Sequence, residues 1–359
     1  MYSQEDLNSA VAAGAITQES AQALRAHVAA SRDAVPADAE HFRLITGFND
    51  IFVSIGVVIM LMAMGAIGDA IWTNNDGPSP ASGLLVAGTA WMLAEFFTAK
   101  RRMALPSIIL LLGFVGGIFF GLLGLSIKIA GVDGDQGNET LATLLVAASG
   151  LVTAGAAWVH WKRFMVPITI AAGTAAIAGT AIAVIVAIVG PENPNIETII
   201  LSLVFAAGLV IFAFAMRWDI SDPNRETRRS DVAFWLHLLA APMIAHPIFA
   251  LIGVTEGDNI GAGAALAVLA VYVVFGLVAL AVDRRALLVS ALAYVLIALT
   301  FLFREFGAVE LNFALTALVI GSALLTLSAL WTPIRRVVVD GLPGAMQARL
   351  PATSMPTTV

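Results

Sequence analysis

The sequence contains no cysteine and few charged residues. Cysteine is absent from all 359 residues, which excludes disulfides, thiolate catalysis and cysteine-ligated metal sites. Charged residues make up 12% of the chain, about half of the ~25% typical of soluble domains, whereas apolar residues make up 59%. This composition excludes an ordinary soluble fold, and nothing in it indicates a nucleic-acid-binding protein. The polar first forty residues have no basic segment followed by a short apolar stretch, so no cleavable signal peptide is predicted.

The apolar residues are concentrated in segments long enough to cross a hydrocarbon layer of about 30 Å. Residues 107–120 are apolar on every side, which favours helices over the alternating strands of a transmembrane barrel. We therefore predict an all-α fold, a polytopic transmembrane helix bundle of about ten spans, with both termini on one side. The predicted spans are residues 51–71, 81–97, 105–125, 141–159, 166–189, 198–216, 232–254, 260–282, 286–303 and 311–331.

The basic residues indicate which way the bundle is oriented. With ten spans, 17 of the 19 lysines and arginines lie on the side of the two termini, and only Lys128 and Arg304 lie on the opposite side. Short basic loops are retained in the cytoplasm during membrane insertion. This segregation predicts that both termini are cytoplasmic, and a count of nine or eleven spans would abolish it.

The chain ends are polar and predict two soluble pieces. Ser3 and Asp6 have the spacing of a capping box, and Gly14 is suited to end a first short helix before Thr17 begins a second. The C-terminal tail contains two adjacent arginines followed by several prolines, which is typical of an interfacial segment that becomes disordered. Neither end resembles an enzyme domain. The predicted parts are a cytoplasmic helical hairpin and linker at 1–42, the ten-helix bundle at 43–331, and a cytoplasmic tail at 332–359.

Three segments carry a resemblance to a known group of proteins. These are the hairpin from Leu7 to Leu24, the segment Gly47-Phe-Asn-Asp-Ile-Phe52 at the start of the first span, and the stretch from Asp231 to Pro247. Together they resemble uncharacterised bacterial multi-pass membrane proteins that carry a short N-terminal two-helix cytoplasmic module, a domain of unknown function. The resemblance implies the fold and a location in the bacterial inner membrane, and it implies no activity.

The seventh predicted span is the most irregular. It contains His237, Pro242, His246 and Pro247, and each proline leaves one backbone carbonyl without its helical partner. The two histidines are able to relay protons, accept a hydrogen bond from a substrate or bind a metal. Two nitrogens make a weak metal site, and nine residues of straight helix place the histidines on opposite faces. A kinked packing helix is the alternative interpretation, and it is the favoured one.

The acidic residue Glu95 lies inside a predicted span, near its end. Glu95 comes one turn before the basic residues 100–102, so we interpret it as part of an interfacial ion pair, with a role in a solute pathway as the alternative. No Asp, Lys or Arg lies in the central third of any predicted span. This scarcity argues against a carrier driven by protons or sodium through a buried carboxylate.

Glycines in the third predicted span repeat every four residues. Gly113, Gly117 and Gly121 form a double G-x-x-x-G pattern, which allows the backbone of another helix to approach closely. We interpret the pattern as helix packing within the bundle. A dimer face is the alternative, so the sequence leaves a homo-oligomer open.

Two functions of different class fit these observations. The first is a channel or permease for a small, uncharged solute, with His237, Pro242, His246 and Glu95 as pathway candidates. The alternative is a non-transporting membrane scaffold or sensor that docks a cytoplasmic protein partner through residues 1–42. An intramembrane lipid enzyme ranks lowest, because the sequence offers no nucleophile or metal set for one. We predict no enzymatic activity, no cofactor and no metal, and the lipid bilayer is the one partner that composition implies.

Overall fold

The computed structural model describes residues 4–24, 48–72, 77–130, 138–223, 225, 227–253, 262–305, 312–347 and 350–351. The chain divides into two compact units, Met1–Phe42 and Arg43–Val359. Residues 25–42, which include the predicted linker, and the part of the predicted tail after Pro351 lie outside the described residues.

The N-terminal unit contains two helices joined by a short turn. Helix α1 is Gln4–Ala12, and residues 18–24 form the described part of α2. Gly14 has a φ of +70°, a left-handed conformation that glycine adopts without steric cost. Thr17 caps α2, because its Oγ1 accepts a hydrogen bond from the backbone N–H of Ser20 at 3.1 Å.

The second unit is a bundle of long apolar helices. Nine of its described helices, α3 to α11, are long and apolar enough to cross a membrane, and α12 with α13 makes a tenth span if this pair, bent by 75°, is counted as one broken helix. No strand occurs among the described residues. The helices are α3 Phe48–Ile71, α4 Pro80–Phe97, α5 Ala104–Ala130, α6 Glu139–Phe164, α7 Ile168–Val189, α8 Ile196–Ile220, α9 Arg228–Leu251, α10 Ala262–Val282, α11 Ala286–Glu305, α12 Asn312–Ala329, α13 Trp331–Asp340 and α14 Gly344–Gln347.

These helices confirm the prediction of an all-α, multi-span membrane protein. Each of the first nine predicted segments contains the greater part of one long helix, and the tenth corresponds to α12 up to the bend before α13. The side of the membrane on which the termini lie stays a prediction.

Local sequence signals explain where several helices begin. The Ser79 side chain accepts a hydrogen bond from the N–H of Ser82, and Pro80 occupies the first position of α4, where its missing N–H has no cost. Thr227 caps α9 by accepting from the N–H of Arg229 at 3.2 Å. Asp222 in turn accepts from the hydroxyl of Thr227 at 2.7 Å, so the loop before α9 is held at the point where the helix starts.

The bundle has two apolar cores. The smaller core joins α3, α4 and α5 around Val57, Ala90 and Leu110. The larger core is built around α9 and includes residues of α7, α8, α10 and α11, with Leu236 and Phe249 fully buried. Helix α9 is the most buried of the nine apolar helices, so it is in contact with more protein than lipid.

The glycine pattern of α5 lies against α4. A Cβ atom added to Gly117 would be 2.6 Å from the carbonyl oxygen of Gly83 and 2.8 Å from the backbone nitrogen of Ala87. A Cβ at Gly121 would also contact the backbone of α4, whereas one at Gly113 would meet the side chain of Leu61. The three glycines therefore face neighbouring helices of the same chain, which allows the backbones of α4 and α5 to touch.

Candidate functional site

A buried group of charged and polar side chains joins α9 to α8 and to the loop between α10 and α11. The carboxylate of Asp219, in the last turn of α8, accepts a hydrogen bond from Nε2 of His237 at 2.9 Å and from Nη2 of Arg284 at 2.6 Å. Arg284 also donates to the carbonyl oxygen of Ser230 at 3.2 Å. We call Asp219, His237 and Arg284 the Asp219 cluster. Their side chains are 1%, 2% and 5% exposed, so each charge depends on its partner for stabilisation.

A second buried group is centred on Asp283, the residue before Arg284. We call it the Asp283 cluster. The carboxylate of Asp283 accepts hydrogen bonds from Nη1 of Arg225 at 2.9 Å and from the indole Nε1 of Trp331 at 2.7 Å. Nε of Arg335 lies 3.6 Å from the same carboxylate, and Nη2 of Arg335 donates to the carbonyl oxygen of Pro351. The Asp283 cluster therefore connects the α8–α9 loop, the end of α10, helix α13 and the described C-terminal residues.

The backbone at this cluster adopts an uncommon conformation. Arg225 has a φ of +55° and Asp283 a φ of +59°, in the left-handed region that residues other than glycine seldom occupy. Each such residue costs on the order of 1 kcal/mol. The two side chains form a buried ion pair, with Nη1 of Arg225 2.9 Å from the Asp283 carboxylate. Burial lowers the pKa of the Arg225 guanidinium, and the positive charge of Arg284 lowers it further, while the carboxylates of Asp283 and Asp219 act in the opposite direction.

Farther along α9, His246 pairs with a tyrosine of α11 on an exposed face at membrane depth. Nδ1 of His246 is 2.6 Å from Oη of Tyr294, which lies near the middle of α11. Tyr294 also stacks on the buried ring of Phe249, with the ring centroids 4.3 Å apart. Pro242, one turn before His246, is exposed on the same face of α9. We call His246 and Tyr294 the His246 pair.

The two prolines of α9 add polar backbone to this region. Pro242 and Pro247 have no N–H, so the carbonyl groups of Leu238 and Met243 lack their usual helical donors. In a membrane such groups need a neighbouring helix, water or solute as a donor. Pro247 is buried, whereas Pro242 and His246 are exposed. The exposed face of α9 therefore carries an imidazole beside the carbonyl that Pro242 frees, and α11 contributes the phenol of Tyr294.

The two histidines predicted as pathway candidates have separate partners. His237 is buried and bonds to Asp219 of α8, whereas His246 is exposed and bonds to Tyr294 of α11. The helix kink does not bring them into one contact.

Glu95 lies apart from α9 and is paired with Arg163. The guanidinium of Arg163 donates to both carboxylate oxygens of Glu95, at 2.9 Å and 2.5 Å. The two side chains are 36% and 53% exposed. The partner of Glu95 therefore belongs to the basic C-terminal end of α6, and not to the basic loop that follows Glu95 in the sequence. This geometry is that of an ion pair at the end of two helices.

A third histidine is buried near the end of α6. His160 is 1% exposed and is enclosed by the rings of Trp91, Phe114 and Phe164. Its Nδ1 is 3.3 Å from the hydroxyl of Thr169, and its Nε2 has no hydrogen-bond partner among the described residues. The arrangement is mostly aromatic packing.

Sequence reasoning missed three residues that matter here. The sequence did not reveal Asp219 and Asp283 as buried residues. Asp219 follows Trp218 and Asp283 precedes two arginines, and both lie in predicted basic loops, where an aspartate is expected to be solvated. One signal could have indicated the contact between Asp219 and His237. Asp219 lies just after the end of one apolar span, and His237 lies near the start of the next. Tyr294 carried no signal, because a lone tyrosine in an apolar helix is ordinarily a packing residue.

No group of three or more His, Asp or Glu side chains in the described part of the chain is arranged to hold a metal ion. Comparison with protein-family models, curated proteins and solved structures finds no match to this chain. The functional argument therefore rests on the geometry of the Asp219 cluster, the Asp283 cluster and the His246 pair.

Proposed function

We propose that this integral membrane protein is a channel or permease for a small, uncharged solute, and that α9 forms one wall of its pathway. The observation that carries the proposal is the His246 pair. Imidazole and phenol groups on an exposed helix face at membrane depth are costly against lipid tails. They are stabilised when that face lines a cavity that water or a polar solute enters.

The chemistry of this face favours an uncharged solute. The His246 pair and the freed carbonyl of Leu238 offer hydrogen-bond donors and acceptors without a permanent charge. An ion would also need a counter-charge at membrane depth, and the charged clusters of α9 lie at one end of the helix. A polyol, an amide or a similar small molecule is able to exchange its hydrogen bonds with water for those of this face.

The Asp219 cluster closes the pathway at its other end in this conformation. It links α8, α9 and the α10–α11 loop through bonds of 2.6 and 2.9 Å, and His237 is buried there. The pathway would open if these helix ends separated. A polar cluster permits this separation, because water is able to replace its hydrogen bonds. The proposed pathway leaves out Glu95, because it pairs with Arg163 of α6 and not with a residue of α9.

We also propose that the protein lies in a bacterial inner membrane with both termini in the cytoplasm. The segregation of 17 of 19 basic residues supports this orientation, and the resemblance of three segments to bacterial multi-pass proteins supports the location. In this orientation the Asp219 cluster is the cytoplasmic gate and the His246 pair lies beyond it, toward the outer surface.

Osmotic swelling of proteoliposomes tests the permease proposal. Vesicles that contain the protein are expected to swell faster than empty vesicles when glycerol or urea is supplied outside. Replacing Tyr294 with phenylalanine removes one hydrogen-bonding group and is expected to reduce the protein-dependent rate about fivefold, which corresponds to the loss of ~1 kcal/mol.

Tyr272→Phe on α10 is the matched control, because it makes the same chemical change outside the His246 pair, and it is expected to keep the wild-type rate. Swelling equal to that of empty vesicles for every small uncharged solute tried would refute the permease and favour the scaffold. Equal losses in the two tyrosine variants would refute the role of the His246 pair.

A further inference from the structure

A lipid-facing groove runs between α11 and α12. It encloses about 200 Å³ and ends where α12 bends by 75° into α13. The lining residues on each side are spaced i, i+3, i+4 and i+7. The groove therefore follows α11 from the residue before its start and α12 as far as the first residue of α13. The lining residues are Arg285, Leu288, Val289 and Leu292 on one side, and Leu324, Leu327, Ser328 and Trp331 on the other.

Charge is confined to one end of this groove. The guanidinium of Arg285 lies over the ring of Trp331, 4.7 Å from its centroid, while the wall beyond them is apolar except for Ser328. This end belongs to the side of the bundle that carries most of the basic residues. Helix α13 leaves α12 at an angle of 75° here, and Arg336 on α13 is exposed.

The groove is shorter than one leaflet of a bilayer. The eight residues from Arg285 to Leu292 span about 10 Å of helix, against about 15 Å for half of the hydrocarbon layer. Val289 is 65% exposed, so the groove is open to lipid along its side. A partner helix would need a longer apolar face and would cover Arg285, whereas an acyl chain fits a short groove that leaves the guanidinium at the headgroup level.

The geometry points to a binding site for one anionic phospholipid, with an acyl chain in the α11–α12 groove and the phosphate on Arg285. Guanidinium groups bind phosphate oxygens in a bidentate manner, and the ring of Trp331 holds this guanidinium in place at the interface. The site is independent of the proposed solute pathway, because its lining residues do not include those of the His246 pair or the Asp219 cluster.

Lipid binding by the purified full-length protein in detergent tests this proposal. The probes are dioleoyl phosphatidylglycerol and dioleoyl phosphatidylcholine, and native mass spectrometry reports the affinity for the first lipid bound. The anionic lipid is expected to bind at least about fivefold more tightly than the zwitterionic lipid. Arg285→Gln is expected to abolish this preference, and Ser328→Trp, which fills the groove at an exposed position, is expected to weaken both lipids.

Two matched variants control for general effects. Arg101 also lies over an aromatic ring, that of Phe96, so Arg101→Gln removes an equivalent stacked charge elsewhere and is expected to keep the preference. Ser322→Trp adds the same bulk to α12 outside the groove and is expected to bind both lipids normally.

Three results of the lipid-binding measurement would overturn the proposal. They are equal affinity for the two lipids, retention of the preference in Arg285→Gln, and wild-type binding in Ser328→Trp. Glycerophosphoglycerol, the headgroup without its chains, is expected not to compete at matched concentration. Competition by it would assign Arg285 to a soluble phosphate ester and would equally overturn the lipid site.

Discussion

Replacing Asp219 with alanine is expected to lower the free energy of unfolding by about 3–5 kcal/mol. The carboxylate is the shared acceptor for His237 and Arg284, whose side chains are 2% and 5% exposed. Without it, the guanidinium of Arg284 stays buried with one remaining bond, to the Ser230 carbonyl. An uncompensated buried charge of this kind is one of the largest single-site destabilisations that a folded protein meets.

Unfolding in mixed micelles, followed by circular dichroism during titration with sodium dodecyl sulfate, measures this loss. Glu95→Ala is the matched control, since it breaks an Arg–carboxylate pair whose side chains are 36% and 53% exposed. Solvent screens that pair, so its removal is expected to cost no more than about 1 kcal/mol. Similar losses in the two variants would show that the Asp219 cluster is not a buried ion pair in the membrane-embedded protein.

A double substitution separates the two parts of this effect. Asp219→Leu with Arg284→Met removes both charges and keeps the side-chain volume nearly constant, and such replacements are often neutral or stabilising. The double variant is therefore expected to recover most of the stability that Asp219→Ala loses. Recovery would show that the Asp219 cluster is not required for stability. This result is expected if the cluster serves as a gate in the proposed pathway.

Replacing Gly117 with alanine is expected to destabilise the bundle by about 1–3 kcal/mol. The new Cβ would lie 2.6 Å from the Gly83 carbonyl oxygen and 2.8 Å from the Ala87 nitrogen. Both are backbone atoms, which are unable to move aside as the tip of a side chain does. The substitution must therefore push α4 and α5 apart, even though alanine favours a helix more than glycine does.

Gly116→Ala provides the matched control in the same helix. A Cβ at Gly116 meets no atom within 4 Å, so only the higher helix propensity of alanine acts, and stability is expected to be unchanged or slightly raised. The same detergent titration compares the two neighbouring variants. Equal stability of both would contradict the close backbone contact between α4 and α5.

The fold was largely predictable because the membrane imposes one strong constraint. Apolar segments of sufficient length must form helices in lipid, and nine predicted segments correspond to nine apolar helices. The bend between α12 and α13 was not predicted. Trp331 was assigned to the end of the last span, and its hydrogen bond to Asp283 of a distant loop has no counterpart in local sequence.

The candidate site was only partly predictable. His237, Pro242 and His246 were identified because a histidine or proline in an apolar span is conspicuous. Their partners were not, since Asp219 and Tyr294 are brought to α9 by the packing of three helices that a single sequence does not specify. Glu95 was interpreted as part of an ion pair beside the basic residues 100–102, but its partner Arg163 is 68 residues away in the sequence.

Side-resolved labelling of single cysteines tests the central claim, that α9 lines a pathway closed at one end by the Asp219 cluster. The chain contains no native cysteine, so each residue from 234 to 250 is replaced in turn and exposed to a membrane-impermeant thiol reagent from either side. Cysteines at Pro242 and His246 are expected to react from the side opposite the basic loops and to be protected from the basic side. In the Asp219→Ala background they are expected to react from the basic side as well. Protection at both positions from both sides would contradict the account, because it would mean that this face of α9 lies against lipid or protein and not against water.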